Sequence, residues 1–199
     1  MPNIAFITKF FDIPEYQCDY PIYLELVDSS SKMKLFVDNN NNYHSYKKFT
    51  SSPTRNLRFN IFEVKSGNNI GSIGLSSAVI AIKCRDSYIG WDNKTRIKNL
   101  GMVANNSRFV LVKDRITLSN VGSMTLKRLS VDGAKHWKDR YNQELVLLET
   151  FVEPAENRIG AVYKASNWIE VGITSGNSIK KGPIALWIKE TGKRGKLAR

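Results

Sequence analysis

Residues 143–172, QELVLLETFVEPAENRIGAVYKASNWIEVG, decide the fold. Residues 145–152 form a near-continuous apolar run of strand length, the pattern of a buried central strand. Pro154 cannot donate to a ladder and ends it, and Asn157 supplies N-cap chemistry for a short helix expected over 157–167. Within that helix Ile159, Val162, Tyr163 and Ser166 recur at 3–4 spacing and share a face. Residues 168–172, WIEVG, return as a short strand that stops at a glycine. A buried strand, a crossing helix and a returning strand leave a place at the strand ends where a ligand can sit.

Working outward, the segment before this stretch reads as the main helix, expected over 121–141. Asn120 and Ser123 offer caps, Met124, Leu126 and Leu129 belong to its apolar residues, and Gly133 is a potential break. Upstream, 107–112 (SRFVLV) is a strand. Residues 85–100 are polar with Tyr88, Ile89 and Trp91 embedded, and read as a long loop with a short helix. Residues 57–64 (LRFNIFEV) alternate as a half-buried strand, 66–69 (SGNN) is turn chemistry, and 70–83 is the hairpin partner. Gly71 and Gly74 there mark a bulge or a close backbone approach. Nearer the start, 22–27 (IYLELV) is the first core strand. Asp28 and Ser29 to Ser31 cap a helix over 32–38, which the asparagine run 39–42 is expected to end. Residues 3–11 are a candidate strand and 43–54 a loop. Beyond the opening stretch lie a Gly/Ser loop over 175–182 and a last strand over 183–188. The order β-α-β-β-β-α-β-α-β is a mixed α/β layout. It divides into an N-terminal extension (1–21), one domain (22–189) and a basic tail (190–199).

The 199 residues carry 30 Lys and Arg against 18 Asp and Glu, a formal net charge of +12, with 42% hydrophobic residues. This is the composition of a globular chain long enough to bury a core. The charge favours a polyanionic partner, and the plain alternative is a merely basic soluble protein. The surplus is uneven. Residues 1–41 are net acidic, whereas 179–199 hold Lys180, Lys181, Lys189, Lys193, Arg194, Lys196 and Arg199 against Glu190. Cys18 and Cys84 have no metal or redox spacing, and with only His44 and His136 as histidines no metal site is expected. The N-terminus lacks a signal-peptide pattern and no run reaches membrane-spanning length, so a cytoplasmic protein with no membrane partner is expected.

The element order resembles the GCN5-related N-acetyltransferase (GNAT) fold, and GAVYKASNWIEVG (160–172) looks like that family's tyrosine-bearing helix leading into an aromatic strand. The resemblance implies a central sheet with two parallel strands splayed apart, flanked by helices, with acetyl-CoA or a related acyl donor in the opening. On this reading 107–112 and 145–152 are the splayed pair. A closer resemblance rests on LRFNIFEV, on GSIGLSSAVIAIKCRDSYIGWDNKTRIKNLGMVANNSRFVLV, and then on LSNVGSMTL, LLETFVEP and GAVYKASNWIEVGITSG. These resemble the Druantia protein A (DruA) family, which implies an anti-phage defence or mobile-element context with DNA, defence-system proteins or transposases as partners. A fainter similarity reaches the phage Mu Mom DNA-modification protein. It implies roles for His44 and Tyr46, Arg108, Ser123, Glu149 and Tyr163 in modifying a base amine.

Each candidate has a plain reading beside the functional one. Asn120, Val121, Gly122 and Ser123 at a strand-to-helix junction offer free amides to an anionic donor, or are an ordinary helix start. Arg108 inside a strand needs an anionic partner, and Glu149 on the neighbouring strand would serve as one. Alternatively Glu149 is a general base at the splay, which requires burial to raise its pKa. Tyr163 is a proton donor to a leaving thiolate, or a core aromatic. His44 and Tyr46 belong to the site, or to a solvated loop. Arg85, Trp91 and Arg96 stack on unpaired bases, or Trp91 plugs the core edge. Lys180, Lys181, Lys193, Arg194 and Lys196 contact phosphates non-specifically, or form a solvated tail. Three functions follow from these readings: a DNA-base-modifying acyltransferase, a non-catalytic DNA-binding or sensing component, and a protein or small-molecule acetyltransferase.

Overall fold

The computed structural model describes residues 20–44, 48–51, 54–152, 159–174 and 184–191. Tyr46, Asn157, the candidate strand over 3–11 and the basic residues Lys180, Lys181, Lys193, Arg194 and Lys196 lie outside them. In chain order the elements are β1 (Ile22–Leu26), α1 (Ser30–Tyr43), β2 (Asn56–Glu63), β3 (Asn69–Ser77), α2 (Lys83–Ile89), α3 (Asn93–Asn99) and β4 (Val103–Leu111). They continue with α4 (Val121–Arg128), a π turn (Leu129–Gly133), α5 (Ala134–Tyr141), β5 (Leu147–Val152), α6 (Ala161–Ala165), β6 (Ile169–Thr174) and β7 (Ile184–Glu190). One sheet of seven strands runs β1-β2-β3-β4-β5-β7-β6. Neighbours are antiparallel except β4 and β5, which are parallel.

Strand alternation sends apolar side chains to both faces of the sheet. Leu57, Phe59, Ile61, Ile73 and Leu148 meet Leu126, Leu129 and Trp137 of the continuous helix formed by α4, the π turn and α5 in the larger core. On the other face Val103, Leu147, Leu186 and Ile188 meet Ile89 and the half-buried Trp91 in a smaller one. The segment α2–α3 is inserted between the antiparallel strands β3 and β4, and α2 packs through Ile89 on the β5–β7 half of that face, while α3 buries no residue. Residues 85–100 are thus two helices, not the expected long loop with one. Asp92 caps α3 by accepting from the Thr95 amide at 2.7 Å, and Gly90 ends α2 in the left-handed region at φ 82°.

The asparagine run does not end α1, which continues to Tyr43. Asn39 and Asn40 are buried, and Asn39 Nδ2 donates to Asn69 Oδ1 and Ser72 Oγ, each at 2.8 Å. Ser72 Oγ donates in turn to Asn60 Oδ1, and Asn60 Nδ2 to the Lys32 carbonyl. Partners on β2 and β3 thus outweigh the weak helix propensity of asparagine. The main helix, expected as one unit with a break at Gly133, is widened into a π turn that ends there. A Cβ on Gly133 would lie 2.9 Å from Leu75 Cδ1. Arg128 spans the turn with two bonds to Asp132, at 3.1 and 2.8 Å.

Candidate active site

The parallel pairing of β4 with β5 covers only Val103–Leu147, Ala104–Leu148 and Asn105–Glu149. Beyond it β4 stays with β3 and β5 with β7, so the two strands part. At the parting point β3 pairs Leu75 with Asn106 and Gly74 with Arg108, which leaves Ser107 as the extra residue of a β-bulge. Asn106 fills that irregularity. Its Nδ2 donates to the Gly74 and Arg108 carbonyls at 3.1 and 3.0 Å. Its Oδ1 accepts from Tyr163 Oη of α6 at 3.1 Å. Thr150 Oγ1 on β5 reaches across to the Asn106 carbonyl at 3.1 Å, and lies 3.4 Å from Tyr163 Oη. Tyr163 packs edge-on against the buried Trp168. A phenol is thereby fixed at the opening by one residue from each splayed strand. Asn106 and Thr150 were not singled out by the sequence reading. Asn106 precedes the strand expected over 107–112, and only its burial in the longer β4, which demands partners for its amide, marks it out.

Two helix starts close this side of the opening. Asn120 stands at the N-cap of α4 in the left-handed region, φ 58°, and its side chain makes no capping bond. Ser123 does not cap either, because its hydroxyl donates back to the Asn120 carbonyl at 3.0 Å. The first-turn amides of Val121, Gly122 and Ser123 are therefore not served by a side-chain cap, as an anionic group at a helix start requires. Gly122 has a packing reason as well: a Cβ there would sit 2.6 Å from Val162 Cγ2, so α4 and α6 approach closely only without one. α6 begins at Ala161 rather than Asn157, with Gly160 at its N-cap at φ 65°. A Cβ at Gly160 would lie 2.7 Å from the Trp187 ring.

Glu149 is not paired with Arg108. It is 0% exposed, and its carboxylate accepts from Arg85 Nη1 at 3.0 Å and from the Val79 amide at 3.1 Å. Arg85, also 0% exposed, donates to Asp86 Oδ1 through Nε and Nη2, and Arg96 reaches Asp86 Oδ2 at 3.0 Å. Burial pushes the Glu149 carboxyl above its usual range, against the pull of the Arg85 charge and the Val79 amide. The raised value that a base would need is present, but both oxygens are engaged inside the protein. Arg85 is wholly interior and cannot stack on a base, whereas the half-buried Trp91 and Arg96 line a surface cavity of about 400 Å³ with Asp86. Trp91 takes the core-edge place.

Arg108 projects from the face opposite Tyr163. It lines a cavity of about 200 Å³ with Phe36, Phe49 and Arg58 under α1. His44 is the C-cap of α1, on that same face, where its amide donates to the Asn40 carbonyl. The structure thus brings Tyr163, Asn106, Thr150 and the α4 start to one side of the opening, and Arg108 to the other. Among the described residues no group of three or more His, Cys, Asp or Glu gathers as a metal site, and no helix is long and apolar enough to cross a membrane.

The model of the Druantia protein DruA family matches residues 6–179. The chain belongs to that family. No curated protein sequence matches it, whereas solved structures do. Spermidine N-acetyltransferase from Vibrio cholerae in complex with CoA and spermine superposes with a TM-score of 0.56 at 12% identity, over 87% of this chain and 97% of that one. The spermidine N-acetyltransferase SpeG K23-Q34 chimera from Vibrio cholerae and hSSAT gives 0.57 at 10% identity over 87% and 98%. Aminoglycoside acetyltransferase AAC(6')-Ib in complex with coenzyme A gives 0.56 at 12% identity over 85% and 94%. At these identities the likeness is one of fold, and the fold of this DruA-family chain is that of the GNAT acetyltransferases, as its splayed strands lead one to expect.

Proposed function

We propose that this DruA-family protein is a GNAT-type transferase that places an acyl-type group on an amine of a DNA base in an anti-phage or mobile-element setting. The observation that carries the reading is the Tyr163 hydroxyl pinned at the β4–β5 opening by Asn106, beside a helix start without a side-chain cap. An acyl-CoA bound there would supply a thioester-activated acyl group, with its phosphates at Asn120, Val121, Gly122 and Ser123. The chain's own part is positional and protic. Asn106 Oδ1 holds the phenol of Tyr163 at the opening; its O–H turns from that acceptor to protonate the leaving thiolate, and the proton released by the acylated amine returns to the phenolate through solvent. The bulge at Ser107 turns the β4 edge away from β5, and an acceptor amine has access from the Arg108 side. A base must leave its stack to reach such a cleft, which suits a chain of net charge +12.

The engagement of both Glu149 oxygens in the interior favours a second reading, a DNA-binding or sensing component without chemistry. Thermal shift with acetyl-CoA, and separately with single- and double-stranded DNA, distinguishes the two. The transferase reading expects stabilisation by both ligand types. Salt-sensitive DNA binding with no response to acetyl-CoA overturns it in favour of the second.

A further inference from the structure

Arg58 on β2 lines two cavities at once. One is the cavity of about 200 Å³ shared with Arg108, Phe36 and Phe49. The other is a cleft of about 840 Å³ formed by the start of α1 at Ser29 and Ser30 with His136 and Arg140 of α5. Phe49 stands edge-on to Phe36, and the Arg58 guanidinium lies over the Phe49 ring at 5.4 Å. Among the described residues neither Arg58 nor Arg140 has a carboxylate within 4.0 Å. Of the two acids on the larger cleft, Asp28 is held by Lys32 at 3.0 Å, and Asp139 is solvent-exposed. Burial and the like charge of Arg140 both lower the Arg58 pKa, as expected of two guanidiniums brought together without an anion between them.

We propose that Arg58 and Arg140 grip a phosphate of a single DNA strand whose base enters the Phe36–Phe49 cavity beside Arg108. Two arginines set close together suit phosphate oxygens. The smaller cavity lies below the roughly 300–1,000 Å³ typical of drug-sized ligands, room for a single planar ring system. The half-buried Phe49 ring and the guanidiniums of Arg58 and Arg108 are what an unstacked base finds favourable, with the buried Phe36 behind them. The assignment rests on the proposed function and names its acceptor: an extrahelical nucleotide delivered to the Arg108 side of the opening, with its backbone held at Arg58.

The test is fluorescence anisotropy with a short single-stranded DNA and the same strand carrying one abasic position, at several salt concentrations. Arg140→Gln lies on an exposed helix position and Arg58→Lys keeps charge, so both variants retain the fold; Lys98→Gln on α3 is the control. The expected result is several-fold weaker binding of both strands by Arg140→Gln, with a shallower salt dependence. Arg58→Lys should weaken binding similarly. Phe49→Ala should lose about tenfold on the intact strand and little on the abasic one. Equal binding by wild type, Arg140→Gln and Arg58→Lys overturns the groove. So does a wild type that binds neither strand. Acetyl-CoA stabilisation, measured in parallel, reports on the transferase reading: its absence with Arg58-dependent strand binding leaves the groove standing and removes the acyl donor.

Discussion

Replacing Glu149 tests whether the carboxylate acts inside the fold or at a reacting centre. Each of its oxygens takes one donor, Oε1 from the Val79 amide and Oε2 from Arg85 Nη1. Glu149→Gln keeps the shape but supplies one acceptor and one NH2 group, so one of those two donors faces another donor. A buried donor left unsatisfied costs about 1–3 kcal/mol. Glu149→Ala breaks the buried pair outright, at about 3–5 kcal/mol. For a chain of this size each kcal/mol lowers Tm by roughly 2–4 °C. Calorimetry should therefore show Glu149→Gln lower by roughly 4–8 °C and Glu149→Ala by roughly twice that. Replacing the pair with apolar residues, Glu149→Leu with Arg85→Met, should recover part of the loss, although Asp86 and the Val79 amide lose partners too. A Glu149→Gln protein with unchanged Tm and abolished DNA modification would refute this reasoning and return Glu149 to the chemistry.

Three further outcomes follow from particular contacts. Gly122→Ala drives a methyl into Val162 and should cost about 1–3 kcal/mol, with Val162→Ala restoring much of it in a denaturation series. Tyr163→Phe removes the phenol proton but not the ring packing on Trp168; it should lower transfer by about 10²-fold while Tm falls by only a few degrees. Glu63 accepts from the Ser66 and Thr117 hydroxyls, which hold its carboxyl below the usual range. Its contribution is present above the ordinary pKa of about 4.5 and is lost as pH falls through the lower native value. Glu63→Gln should flatten the acid limb of a stability–pH curve and leave its neutral limb parallel to wild type.

Much of the sheet could be read from periodicity, because strands with buried faces declare themselves. Residues 145–152 and 57–64 were placed within two residues, and the parallel pair emerged as expected. What could not be read were partners distant in sequence. Glu149 and Arg85 lie 64 residues apart, and the pattern at Glu149 pointed instead to Arg108 on the adjoining strand. The asparagines of α1 carry a loop-like composition, and only the Asn60–Ser72 ladder waiting on β2 and β3 makes them helical. Trp91 read equally as a stacking residue and as a core-edge plug, because the segment around it is short and polar. The place of Trp91 comes from packing on the core formed by Val103, Leu147 and Ile188, a long-range event that no local window reports. Tyr163 was visible in sequence through its helix, whereas Asn106, which holds it, was one of two adjacent asparagines with nothing local to choose between them.

The central claim is transfer to DNA, and the nucleosides of the host report it directly. Mass spectrometry of nucleosides from the DNA of cells expressing the protein should reveal a heavier species, absent without expression and strongly reduced with Tyr163→Phe. Identical nucleoside profiles with and without the folded wild-type protein would contradict the account.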